Sequence, residues 1–116
     1  TFVRGYGCFN EDRAGERSIT ELVQIPNVQE VKSAEVFMTG FNTWYTRDDH
    51  DHEMSRLRMD VWPDGQPYYK KAEFTTEYTG WIVPVKLTYS STDEDTTGDD
   101  DFNTACIGFV VVAQVK

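Results

Sequence analysis

The sequence predicts an all-β protein: an antiparallel β-sandwich of six to eight strands, forming a single domain over residues 1–116. Three observations carry that expectation. Apolar and polar residues alternate in run after run, the period of a half-buried strand. No stretch of ten or more residues keeps an apolar stripe at helical spacing. The chain has 116 residues, 39% of them hydrophobic and 14% aromatic, enough for one core and too few for two.

Seven segments read as strands. Phe2 to Phe9 and Ser18 to Ile25 come first, followed by the Pro26-Asn27 turn signal and then Ala34 to Tyr45. Asn27 to Ala34 has mixed polarity and room for one helical turn. Leu57, Met59 and Val61 alternate with Arg56, Arg58 and Asp60, giving a strand with one dry face. Pro63-Asp64-Gly65 is a turn signal, so it and its flanks read as a hairpin leading into Tyr68 to Tyr78. Trp81, Val83, Val85, Leu87 and Tyr89 then form the clearest alternation in the chain. Pro84 interrupts it, which predicts an edge position or a bulge, since proline cannot donate to a ladder. Ala105 to Val115 is apolar on both faces and reads as a central strand covered by a second sheet or by another subunit.

Composition excludes several function classes. Eleven Lys and Arg against 20 Asp and Glu give a formal charge of -9, which argues against nucleic-acid partners. The longest apolar run, Ile107 to Ala113, is far too short for a membrane span. A chain starting at Thr1 with no leader in view fits a processed or trimmed protein. No Asn-x-Ser/Thr site marks a glycosylated secretory route. Cys8 and Cys106 are the only cysteines, either two buried thiols or one disulfide closing a long loop worth about 4 kcal/mol. An even count in a small domain favours the bridge and, with it, a secreted or cell-surface location. Nucleophile elbows, P-loops and zinc-protease motifs are absent, so the reading is of a protein that is not an enzyme.

Half of the 20 acidic residues fall in two loop-like segments, 48–53 and 93–101. The first holds both histidines, and an extended backbone would turn Asp48, His50 and His52 to one side, a donor set suited to a zinc-type ion. The alternative is a solvated hairpin tip. In the second, Asp93, Asp95, Thr97, Gly98 and Asp101 partly match a calcium loop, with Asp99 and Asp100 as further oxygen ligands. Its twelfth position is Thr104 rather than Glu, and strands flank it, so an EF-hand is rejected. Calcium is therefore the expected ion there, and a solvated acidic loop is the alternative.

From residue 34 to residue 115 the order of features resembles the H-type lectins. The segments that carry the likeness are Ala34-Glu-Val-Phe-Met-Thr-Gly-Phe-Asn-Thr-Trp-Tyr45, Ser55-Arg-Leu-Arg-Met-Asp-Val61, Asp99-Asp-Asp-Phe-Asn-Thr-Ala-Cys-Ile-Gly-Phe-Val-Val-Val-Ala113 and the Asp49-His50-Asp51-His52 loop. The resemblance implies a six-stranded antiparallel sandwich that assembles as a homo-oligomer, in that family usually a trimer or hexamer, and binds sugars. The chain departs from the family in having Val111-Val112 where an aromatic pair usually ends the last strand, and in inserting a Tyr-rich segment from Pro63 to Tyr78.

Two functions follow as expectations. One is carbohydrate or cell-surface recognition, with Trp44, Tyr45, Trp62, Tyr68 and Tyr69 as ligand-binding aromatics beside polar loops. The other is a self-assembling structural subunit of a tube, shell or filament, with divalent cations at its acidic loops.

Overall fold

A computed structural model describes residues 1–9, 15–45, 56–92 and 103–116. Its elements are β1 (Phe2–Phe9), β2 (Gly15–Ile25), β3 (Val31–Tyr45), β4 (Arg56–Pro63), β5 (Tyr68–Lys70), β6 (Gly80–Thr92) and β7 (Asn103–Val115). Every pairing is antiparallel. Sheet A has the order β1-β7-β3, and sheet B the order β2-β6-β4 with β5 also paired to β6. The fold is thus the expected β-sandwich of seven strands. Residues 27–30 make no helical turn: Pro26 precedes Asn27 at φ 61°, the combination a tight turn uses to pass the chain from sheet B to sheet A.

The odd-numbered residues of the two central strands face each other. Val83, Val85, Leu87 and Tyr89 of β6 pack with Ala105, Ile107, Phe109 and Val111 of β7, and none is more than 1% exposed. The alternation that identified these strands is therefore also the core. At one end of it the Arg17 guanidinium lies 5.2 Å from the centre of the Tyr89 ring and 5.9 Å from that of Phe9. Phe9 and Tyr89 themselves pack at 5.8 Å. The molecule measures 53 × 28 × 18 Å, as long strands in only two layers require.

β1 packs against its alternation of size. Its large residues Phe2 and Tyr6 point outward, and Gly5 and Gly7 point inward. A Cβ at Gly5 would lie 2.5 Å from Phe109 Cζ, and one at Gly7 would lie 2.4 Å from Leu87 Cδ1. Side chains from β7 and β6 fill the space that β1 leaves empty. Cys8 and Cys106 are directly opposite in the β1–β7 ladder and form the disulfide, with Cα atoms 4.1 Å apart. Register supplies the geometry, because facing residues of an antiparallel pair already stand at bridging distance.

The turn at residues 63–65 is not a hairpin. β4 and β5 run in the same direction along the same side of β6, with Pro63 opposite Val85 and Tyr68 opposite Ile82. Residues 64–67 thus bulge from one interrupted edge, facing only Val83 and Pro84. Pro84 explains the interruption. Its carbonyl accepts the Asp64 N–H at 2.9 Å, so its missing N–H falls on this same side. Of the two expectations for Pro84 the bulge holds and the edge does not, since β6 is central. Gly65, at φ 106°, supplies the backbone freedom the bulge needs.

The strand expected from Tyr68 to Tyr78 ends at Lys70. Lys70 pairs with Gly80, where β6 begins, so the ladder offers nothing further and residues 71–79 loop back. The Ala72 N–H donates to Thr79 Oγ1 at 2.9 Å, and the Tyr78 hydroxyl lies 3.1 Å from the Ile25 carbonyl and 3.2 Å from that of Trp81. This return loop, not the 63–65 turn, makes a hairpin, of β5 with β6.

Candidate functional site

Sheet B carries a half-exposed aromatic pair on its outer face. Met59 and Val61 of β4 pack on the core, so Arg58, Asp60 and Trp62 point outward. Trp62 stands beside Lys86 and is 40% exposed; Tyr68 stands beside Ile82 and is 39% exposed. Lys86 and Ile82 are four residues apart on β6, which separates the two rings by roughly 13 Å along the strand. Leu22, from β2 on the opposite flank, adds a further exposed apolar side chain beside Pro84.

Polar groups bridge the gap between the rings. Thr20 Oγ1 donates to Asp64 Oδ2 at 2.9 Å. Thr20 belongs to β2 and Asp64 follows β4, on opposite sides of β6, so this bond crosses the outer face of the sheet. The bulge is held down over Pro84, which is buried. Arg58 Nε pairs with Asp60 Oδ2 farther along the same face. Such a surface offers two ring faces for apolar C–H groups, and on the same face the Asp64 carboxylate, the Thr20 hydroxyl and Lys86 for hydroxyls.

The five expected aromatics do not form one site. Trp62 and Tyr68 share the outer face of sheet B. Tyr69 takes the other side of its strand, where its ring meets that of Trp81 edge-on at 6.1 Å. Trp81 in turn donates its Nε1–H to the Gln29 carbonyl at 3.1 Å. Trp44 and Tyr45 end β3, where they pair with Thr104 and Asn103 of sheet A, on the far side of the sandwich. The participants that sequence reasoning missed are Leu22, Thr20 and Asp64. Leu22 left a signal, because it is an apolar residue in the polar phase of Ser18-Ile19-Thr20-Glu21-Leu22-Val23-Gln24-Ile25.

The expected metal ligands Asp48, His50, His52, Asp93, Asp95, Asp99, Asp100 and Asp101 lie outside the described residues. Among the described residues no three or more His, Cys, Asp or Glu side chains gather as an ion would require. The strand ends that flank these segments are placed, however. Tyr45 pairs with Asn103, Arg56 with Thr92, Phe9 with Ala105 and Gly15 with Ser91, so connections 10–14, 46–55 and 93–102 all start and finish at one end of the sandwich. Twelve of the chain's 20 acidic residues belong to these three connections.

Fold and surface define a class, a two-sheet β-sandwich with a disulfide within one sheet and aromatic side chains displayed on a face of the other. Comparison of the chain with protein-family models, with curated proteins and with solved structures finds no match.

Proposed function

We propose that the chain is a non-catalytic recognition module that binds carbohydrate on the outer face of sheet B, with Trp62 and Tyr68 as stacking residues. The observation that carries this reading is the interrupted edge. Pro84 breaks the ladder, the bulge fills the break with polar groups, and the residues on either side of it hold two aromatic rings outward. Sugar rings present apolar C–H faces rimmed by hydroxyls, which is the complement of that surface. The likeness to the H-type lectins supports the same ligand class. The disulfide is compatible with an extracellular location, and we place the module outside the cell or on its surface.

A glycan array, run in calcium and again in chelator, tests the reading. The parent chain should bind at least one glycan, and Trp62→Ala or Tyr68→Ala should weaken that binding about tenfold, the loss of one stacked ring. The calcium arm addresses the ion expected at the acidic connections, and the same array repeated with zinc addresses the His50 and His52 segment. Background signal for the parent in every arm overturns the proposal.

One observation favours the structural-subunit reading. Exposed apolar side chains occur on the outer faces of both sheets, Phe2, Tyr6 and Phe37 on one and Leu22 and Trp62 on the other, and contacts through two opposite faces build open-ended stacks. Assemblies that grow with concentration would support it.

A further inference from the structure

Sheet A has its own apolar outer face, and the carbohydrate reading leaves it unused. The registers arrange it in rows across β1, β7 and β3: Phe2, Val112 and Glu35; Arg4, Val110 and Phe37; Tyr6, Gly108 and Gly40; Cys8, Cys106 and Asn42. Phe2 is 74% exposed, Tyr6 72% and Phe37 51%. A sheet face with three such side chains together is as large as the largest apolar patch of an ordinary monomer, the size at which such patches are often functional.

We propose that this face binds a second copy of the chain, through a two-fold axis running along β7. Charge is the first argument. The chain carries -9, yet the charged residues in these four rows are one Arg4 and one Glu35, so this face itself brings no net charge against its copy. Position is the second. Arg4 and Glu35 stand on opposite flanking strands, and a two-fold along β7 lays β1 of each copy over β3 of the other. Each Arg4 then meets the Phe37 ring and the Glu35 carboxylate of its partner. The alternative two-fold, crossing the strands at Val110, stacks Arg4 on Arg4 and is disfavoured.

Shape agrees with charge. Tyr6 and Gly40 occupy the same row on opposite strands; apart from its two chain neighbours nothing lies within 4 Å of a Cβ built at Gly40, and the Thr39 hydroxyl stands over Gly108 in the middle of the row. The axis along β7 seats each protruding Tyr6 over the partner's Gly40, beside its Thr39 hydroxyl. The three aromatics expose roughly 400 Å² per copy. With the stems of Arg4 and Glu35, the partly buried Val110 and Val112, and the disulfide, the face moves toward the roughly 800 Å² per partner of an ordinary stable interface. The resulting dimer turns its two sheet B faces in opposite directions, leaving both Trp62–Tyr68 surfaces open.

Sedimentation equilibrium of the full chain at low micromolar concentration tests this. The parent is expected as a dimer. Tyr6→Glu and Arg4→Glu should each raise the dimer dissociation constant at least about tenfold, with circular dichroism unchanged. Glu35→Arg should do the same by placing two cations together. Mixing Arg4→Glu with Glu35→Arg should restore a dimer, because both contacts between the fourth position of one copy and the thirty-fifth of the other then join a carboxylate to a guanidinium; a merely structural effect of either change would not be rescued by mixing. Trp62→Ala should leave the dimer intact. A monomeric parent, an assembly that grows past the dimer, a dimer indifferent to Tyr6→Glu, or charge variants that fail to pair on mixing would each overturn the proposal.

Discussion

Replacing both cysteines, as Cys8→Ala with Cys106→Ala, is expected to lower the stability of the fold by about 4 kcal/mol and its melting temperature by roughly 15 °C. The bridge spans a sequence separation of 98, so it removes much of the freedom of the unfolded chain. Cys8 is exposed, and its truncation leaves no core cavity to add to the cost. The loss therefore reports the cross-link itself. Chemical denaturation below the dimer dissociation constant measures it, because the disulfide also lies in the proposed dimer face and dimerisation stabilises the folded state. A change below about 1 kcal/mol would mean that the eight-pair β1–β7 ladder holds β1 without the cross-link.

The second large effect lies in the core at Phe109. Its ring is 1% exposed and fills the space over Gly5, so Phe109→Ala is expected to cost about 3–5 kcal/mol through lost burial and the cavity left behind. Gly5→Ala should cost about 1–3 kcal/mol for the opposite reason, since its new methyl would overlap that ring. The double variant should lose less than the two together, because the methyl enters room that the ring has vacated. Denaturation midpoints of the four proteins measure the coupling. Additive losses would show that Gly5 and Phe109 do not share one volume.

Gly5 also marks where the sequence ceases to be legible. In Phe2-Val-Arg-Gly-Tyr-Gly-Cys-Phe9 alternation does not pick a face, because Arg4 shares one phase with Phe2 and Tyr6 while the glycines share the other with Val3 and Phe9. The structure turns the glycine phase inward, because Phe109, Leu87 and Ile19 reach across from other strands and need the glycines' empty space. No property of β1 alone encodes that need. β6 was readable for the contrary reason: every second residue from Val83 to Tyr89 is large and apolar, and all four are buried at 0%.

Turn chemistry was legible in kind but not always in consequence. Pro26-Asn27 turns the chain, as its residue types require. Pro63-Asp64-Gly65 also bends it, yet whether a bend reverses a strand or merely bulges it depends on the partner strand. Pro84 decided that, from a distant part of the sequence, by withholding a hydrogen bond. The candidate site shares this origin. Trp62 and Tyr68 could be singled out as aromatics near polar residues, but their common face follows from the two-residue excess of the bulge, which keeps both strand segments in phase with β6. Tyr69, one residue on, falls to the other side.

The two outer faces are assigned different tasks, ligand on sheet B and a second copy on sheet A, and hydroxyl-radical footprinting of the full chain reads both at once. The protein would be labelled above and below the dimer dissociation constant, with and without the soluble form of a glycan retained on the array. Phe2, Tyr6 and Phe37 are expected to be protected at high concentration whether or not glycan is present, and Trp62 and Tyr68 only when it is. Glycan-dependent protection of Phe2, Tyr6 and Phe37, with Trp62 and Tyr68 labelled equally in every condition, would contradict that assignment.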